Sequence, residues 1–254
     1  MLEFNSSHKQ KFDTNFSSKS VHLWLCGIDI SKREYEGLWT ILDEDEQGRA
    51  LRFRTHELKM GFVACRGWLK LLLAYYRSVP PTSIRFTIGD HGKPRLYGNQ
   101  PDLGLVFNIS HSKKQLAITV GSDCKLGVDV ECWRPVHNLP GMVDRCFSES
   151  EKLYWHNLAK TDQEQAFFAF WTLKEAISKA CGRGLSLGMH RCEFSIQPTP
   201  DILSLPSCCG DIDQWTLHRF NCGDKHSGAL TVGDTNIQVC YRPLPTKWLF
   251  DLYL

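Results

Sequence analysis

HELKMGFVACRGWLKLLLAYYRSV, residues 56–79, is the stretch whose reading decides the fold. Phe62, Cys65, Leu69, Leu72 and Leu73 recur in it at helical spacing. The run stops at Pro80 and Pro81, as helices do, because proline disfavours the helical conformation in the residue before it. One long helix is therefore predicted. Upstream, VHLWLCGIDI (21–30) alternates as a first strand, and YEGLWTILDEDEQGRALRF (35–53) reads as a mostly polar helical region, acidic early and basic late. Downstream, IRFTIGDHGKPRL (84–96) is a strand running into a Gly/Pro turn. LGLVFNISHSKKQLAITVG (103–121) is a pair of short strands, and CKLGVDVE (124–131) is the next strand.

The same theme then returns. DRCFSESEKLYWHNL (144–158) sets Ser148 and Glu151 in capping register, TDQEQAFFAFWTLKEAISKACGRGL (161–185) is a second long helix ended by Gly182 and Gly184, and CEFSIQ (192–197) is a strand. Helix, long helix and strand thus occur twice, which predicts two similar halves meeting at a shared seam. The boundaries expected are a frayed extension over 1–20, a first half over 21–124 and a second over 125–254. After a polar connection, WTLHRF (215–220), GALTVG (228–233) and NIQVCYR (236–242) are expected to close the second sheet.

Composition narrows the class. Hydrophobic residues at 42% and charged residues at 23% are ordinary globular usage, and a net charge of +2 is too small to imply nucleic-acid binding. The N-terminus is polar and lacks the apolar core of a signal peptide, and no apolar run approaches membrane-spanning length. Eleven scattered cysteines with no CxxC pair read as reduced, structural thiols in a cytoplasmic protein.

Four segments could carry chemistry. In LGVDVE (126–131), strand alternation puts Gly127, Asp129 and Glu131 on one face, with the two carboxylates roughly 7 Å apart at their Cα atoms. That face either meets water or shares a small cation, and oxygen donors of this kind suit Mg2+ or Mn2+ better than zinc. Glu175 and Lys179 lie four apart on one helix face, either as a surface pair or as part of a site closed by the glycine-rich, Arg183-bearing end. In VFNISHS (106–112), Asn108, Ser110, His111 and Ser112 either bond their own turn or cradle phosphate oxygens. In GDHGKPRL (89–96), Gly92 and Pro94 shape a turn that aims Lys93 at an anion, with Arg95 beside it and Arg49, Arg52 and Arg54 upstream. Together they describe a pocket for a polyphosphate ligand with its metal.

GKP, FNISHS, GVDVE and FWTLKEAISKACGRGL, in that order and at these separations, resemble the Sfp-type 4′-phosphopantetheinyl transferases. The resemblance implies an α/β (α+β) fold of two pseudo-symmetric halves, each a small, mainly antiparallel sheet packed against a long helix, with the active site at the seam. It implies transfer of phosphopantetheine from coenzyme A to a carrier-protein serine, releasing adenosine 3′,5′-bisphosphate. Asp129, Glu131 and Glu175 would hold Mg2+, or Mn2+, with Glu175 also the general base and Lys179 on the reacting phosphate. Lys93, Pro94, Ser110 and His111 would hold the nucleotide end of coenzyme A. Arg49 stands where the family often has a basic residue. Where some members carry an arginine on the first long helix, this chain has Gly61, which leaves Arg52, Arg54 or Arg66 as substitutes for a 3′-phosphate contact.

The partners implied are acyl carrier proteins or the carrier domains of polyketide and nonribosomal peptide synthases. Neither nucleic acid nor membrane is implied, and the duplicated chain suggests a functional monomer. Residues 134–147, with Arg145 and Phe147, form the docking edge expected from position alone. Two other readings stay open: another Mg2+-dependent phosphotransferase or nucleotide hydrolase, the latter weakened by the lack of a Walker-type run, and a non-catalytic protein that binds coenzyme A or carrier domains.

Overall fold

Residues 19–89, 92–98 and 104–254 are described in the computed structural model; the extension expected over 1–20 lies, up to residue 18, outside the described residues. Strand β1 (Ser20–Gly27) leads into α1 (Lys32–Thr40), α2 (Glu44–Leu51) and the 22-residue helix α3 (His56–Arg77). A short hairpin follows, β2 (Phe86–Ile88) with β3 (Pro94–Leu96), and then the antiparallel pair β4 (Leu105–Ser112) and β5 (Gln115–Ser122). The run then repeats as β6 (Leu126–Cys132), α4 (Leu139–Cys146), α5 (Glu149–His156) and the 22-residue α6 (Lys160–Cys181). The hairpin β7 (Glu193–Ser195) and β8 (Asp201–Ser204) and the pair β9 (Thr216–Phe220) and β10 (His226–Val232) complete it.

In each half the first strand pairs antiparallel with the last, and the last with the middle one: β1-β5-β4 and β6-β10-β9. The duplication is therefore deeper than the helices alone imply. The fold is mixed α+β, with small antiparallel sheets against long helices, as expected.

Each long helix buries its apolar stripe in its own half. Cys65, Leu69, Leu72 and Leu73 of α3 pack with Trp24, Leu38 and Phe107, while Phe167, Phe170, Leu173 and Ile177 of α6 pack with Phe147 and Trp155. A third cluster joins the halves: Val21, Leu23 and Ala117 of the first sheet meet Leu126, Val128, Val130, Leu230 and Val232 of the second.

The last strand departs from expectation. β11 (Gln238–Pro243) does not close the second sheet; it runs parallel to β1, with Ser20 opposite Gln238 and Leu25 opposite Pro243. It covers an edge of β1 that would otherwise present unpaired backbone groups. Helix α7 (Thr246–Tyr253) then carries Leu249 and Phe250 into the first core. Phe250 fits there only because Gly37 has no side chain: a Cβ at that position would stand 2.7 Å from the ring. Residues 238–254 thus pack with the first half.

A buried ion pair also occurs twice. Asp43 and Ser148 cap α2 and α5 through capping boxes whose third helical residues are Glu46 and Glu151. Each glutamate also receives a lysine from the middle of the long helix: Lys70 Nζ lies 2.5 Å from Glu46, and Lys174 Nζ 2.7 Å from Glu151. Both lysine side chains are fully buried, and Lys174 is completed by the carbonyls of Met189 (2.9 Å) and Cys192. Buried charges persist only when paired and hydrogen-bonded in this way. Replacing Lys174 alone by Met strands the Glu151 carboxylate and is expected to lower stability by about 3–5 kcal/mol. Adding Glu151→Gln should recover part of the loss in urea unfolding; no recovery in the double variant would show that the pair is not its source.

Candidate active site

The seam is built by side chains standing in for a backbone ladder. β4 and β6 are edge strands of different sheets and lie side by side. Asn108, Ser110 and Ser112, alternate residues on one face of β4, accept the backbone N–H groups of Val128 (2.8 Å), Val130 (3.3 Å) and Cys132 (3.1 Å) in parallel register. These N–H groups would otherwise be buried without partners. FNISHS is therefore a stitched mid-strand segment, neither a self-bonded turn nor an open phosphate cradle.

On β6, alternation puts Gly127, Asp129 and Glu131 on one face, and α6 lies directly against it. A Cβ on Gly127 would stand 2.0 Å from the Ala176 carbonyl oxygen and 2.5 Å from the Ala180 nitrogen, so the helix backbone rests on the strand backbone. This contact brings the Lys179 ammonium to Asp129 Oδ1 (2.6 Å), Ser110 Oγ (3.0 Å) and the Val128 carbonyl (3.1 Å). Ser110 also donates to Asp129 Oδ1 at 2.8 Å. The second oxygen of Asp129, Oδ2, is buried with no partner. Glu131 Oε2 accepts from Ser112 Oγ (2.8 Å) and from Arg134 Nη1 (2.7 Å).

Glu175 lies one helical turn before Lys179 and makes no hydrogen bond or ion pair among the described residues. Burial, then the negative charge of Asp129, push its carboxyl above the usual range; Lys179 opposes this and Glu131 adds to it. Asp129 is likewise pushed up by burial, against the pull of Lys179 and Ser110. Three carboxylates therefore share one field, two of them ion-paired, Asp129 with Lys179 and Glu131 with Arg134. Among the described residues, no group of three or more His, Cys, Asp and Glu side chains is arranged to hold a metal ion as it stands. The donor chemistry nonetheless fits a divalent ion: an all-oxygen set with an unpartnered buried oxygen on Asp129 and, in Glu175, a carboxylate without an ion-pair partner among the described residues.

Beside this face opens a cavity of about 590 Å3 lined by Lys93, Pro94, Asn108, Glu175, Lys179 and Arg183 among others, a size usual for small-molecule clefts. The first half supplies Lys93, Pro94 and Asn108; the second supplies the helix. Lys93 Nζ donates to the carbonyls of Leu126 (2.7 Å) and Lys179 (2.8 Å), which ties β6 to the last turn of α6, and burial lowers its pKa to about 8.

Several expected residues sit differently. Ser110 is buried and its hydroxyl is engaged within the protein, donating to Asp129 and accepting from the Val130 N–H and from Lys179. His111 points to the other face of β4 and is exposed; partial desolvation and the Lys179 charge hold its pKa below the usual imidazole range. Arg49 is not among the residues lining the cavity: its guanidinium lies over Phe62, 5.3 Å from the ring centre. Arg66, a substitute considered above, is held by Glu46 (3.4 Å) and the Phe86 ring (4.5 Å). Phe147, expected on a docking edge, is fully buried and stacks on Phe167, which leaves Arg145 exposed without it.

The residues missed are Arg134 and the structural roles of Gly127, Asn108 and Ser112. The Asn-x-Ser-x-Ser alternation beside a charged strand, and a glycine two residues before Asp129 on the same face, were the available signals. Gly127→Ala should force α6 off β6, lowering stability by about 1–3 kcal/mol in urea unfolding. An unchanged unfolding midpoint would show that the close backbone contact is not required.

Comparison with known proteins gives the family of the chain. The model of the 4′-phosphopantetheinyl transferase superfamily matches residues 125–240, which span β6, α6 and the second sheet. The 4′-phosphopantetheinyl transferase HetI of Nostoc sp. is 34% identical over 215 residues, covering 85% of this chain and 88% of that protein. The 4′-phosphopantetheinyl transferase Sfp of Bacillus subtilis is 30% identical over 175 residues, covering 66% and 71%. The solved holo-[acyl-carrier-protein] synthase of Thermotoga maritima overlaps 43% of this chain and 62% of its own, at 23% identity and a TM-score of 0.35. Through a relative of this identity that spans most of both chains, and with the seam motifs in place, the chain belongs to the 4′-phosphopantetheinyl transferase family.

Proposed function

We propose that the seam between the halves is where this enzyme holds coenzyme A and passes its 4′-phosphopantetheine arm to a serine hydroxyl of a carrier protein. The observation that carries the reading is the α6 to β6 contact, which gathers Asp129, Lys179 and Glu175 beside a cavity walled on its other side by Lys93 and Pro94.

The reaction joins the serine oxygen to the phosphorus of the phosphopantetheine phosphate and breaks the bond to adenosine 3′,5′-bisphosphate. The attacked phosphate is surrounded by anionic oxygens, so positive charge is needed around it. Lys179 and Arg183 on the second-half wall, with Lys93 opposite, supply it. Glu175, without a hydrogen-bonding partner and held at raised proton affinity, is suited to take the serine proton. Asp129 orients Lys179, and Ser110 orients Asp129. Asp129, Glu131 and Glu175 would hold Mg2+, or Mn2+, which when bound neutralises the pyrophosphate and stabilises the leaving phosphate. Lys93 and Pro94 guide the nucleotide end, with His111 and Arg49 reaching it only from outside the cavity lining.

Both walls come from one chain, which supports a functional monomer. The carrier substrates are acyl carrier proteins or the carrier domains of polyketide and nonribosomal peptide synthases. Among the described residues no helix is long and apolar enough to cross a membrane, and all eleven cysteines are free thiols, in keeping with work in the cytoplasm.

Incubation with apo carrier protein, coenzyme A and Mg2+ should add one phosphopantetheine group to the carrier, read by intact mass. Asp129→Ala and Glu175→Gln are each expected to lower transfer by roughly 10²–10⁴-fold while the circular dichroism spectrum stays that of the parent. Parental turnover by either purified variant would overturn these roles.

A further inference from the structure

Each of the two β6 carboxylates already holds a side-chain cation. Lys179 reaches Asp129 from α6, and Arg134 reaches Glu131 from the segment just after β6. One oxygen of each carboxylate is engaged in this way, while Asp129 Oδ2 stays unpartnered. Asp129 Oδ1 is turned to Lys179 and Ser110, and Glu131 Oε2 to Arg134 and Ser112. This accounts for an oxygen-donor set of suitable chemistry that is not arranged around a common point.

The two pairs differ in how readily they part. Asp129 and Lys179 are 6% and 27% exposed at their side chains, whereas Arg134 is 46% exposed and touches Glu131 through one nitrogen. Arg134 also has other support, the Cys132 carbonyl at 3.0 Å and the Phe168 ring at 5.6 Å, so it can release Glu131 without losing its place. Exposed ion pairs are weak, and a ligand's apparent affinity falls in proportion to the fraction of protein that is competent to bind it.

We propose that Arg134 is a positioning residue that occupies Glu131 in the metal-free protein and thereby sets the affinity of the acidic face for its divalent ion. The side chain keeps Glu131 neutralised and in place, and yields it when the ion arrives. This rests on Asp129, Glu131 and Glu175 being the metal ligands.

The probe is Mn2+ alone, without coenzyme A, titrated into the full chain while the electron paramagnetic resonance signal of free Mn2+ is followed. Arg134→Gln should bind Mn2+ roughly two- to fivefold more tightly than the parent, the range that an exposed ion pair spans. The gain should shrink as salt is raised, because the pair it removes is screened. Arg134→Lys, which keeps the charge, should stay near the parent. Lys114→Ala removes a positive charge that pairs with Asp29 at 2.7 Å and leaves Glu131 untouched, so it should not tighten binding. Unchanged or weaker binding by Arg134→Gln, or an equal gain in Lys114→Ala, overturns the proposal.

Asp129→Asn separates the two levels. If it abolishes Mn2+ binding while Arg134→Gln brings no gain, the ligand assignment stands and the role of Arg134 fails. If it binds Mn2+ like the parent, or if the parent binds none, the ligand assignment fails and this inference with it.

Discussion

The missing side chain at Gly127 sets the position of nearly everything that matters in this molecule. Because nothing projects there, the backbone of α6 descends onto the backbone of β6, with Ala176 and Ala180 at the point of contact. Helical geometry does the rest: Glu175 and Lys179 each immediately precede a contact residue and stand one turn apart. Placement by backbone against backbone is stiffer than placement by side chains, which have rotamers to exchange. Lys93 reinforces it by bonding a carbonyl on each element, 2.7 and 2.8 Å away.

The joint between the sheets obeys a second requirement, that no buried N–H be left unpaired. β4 and β6 share no backbone ladder, yet β6 buries its edge at the seam. Asn108, Ser110 and Ser112 meet this with side-chain oxygens. Serine suits the task because a hydroxyl can accept from a backbone N–H and donate onward at once. Ser110 and Ser112 do so, passing a hydrogen bond to Asp129 and Glu131 respectively. The joint that holds the halves together is thus also what orients the acidic face.

Much of this was legible before any coordinates. The 3.6-residue period of Cys65, Leu69, Leu72 and Leu73, the Ser148 cap and the two-sided pattern of 126–131 all report on local geometry, and local geometry is what sequence period encodes. What was hidden depends on partners far along the chain. The alternation in 236–242 marks a strand but not its sheet, and β11 joins β1 where Phe250 behind it has a slot beside Gly37. Ser110 looked like a ligand contact because its type and setting allow that role, and only the approach of Asp129, Val130 and Lys179 shows that its capacity is filled. Phe147 lies two residues after Arg145 and looked available, while its ring is enclosed by Phe167 and Phe170. Arg134 carried no periodic signal at all.

The return of β11 and α7 to the first half bears on how the chain acquires its structure during synthesis. A ribosome releases α1 to α3 and three of the four strands of the first sheet early, but the partner for the outer edge of β1 comes only after β6 to β10. Until then that edge and the groove for Phe250 stand open, a condition that invites pairing with other chains. The first sheet therefore gains its fourth strand, and the first core its Leu249 and Phe250, only when residues 238–254 have been made.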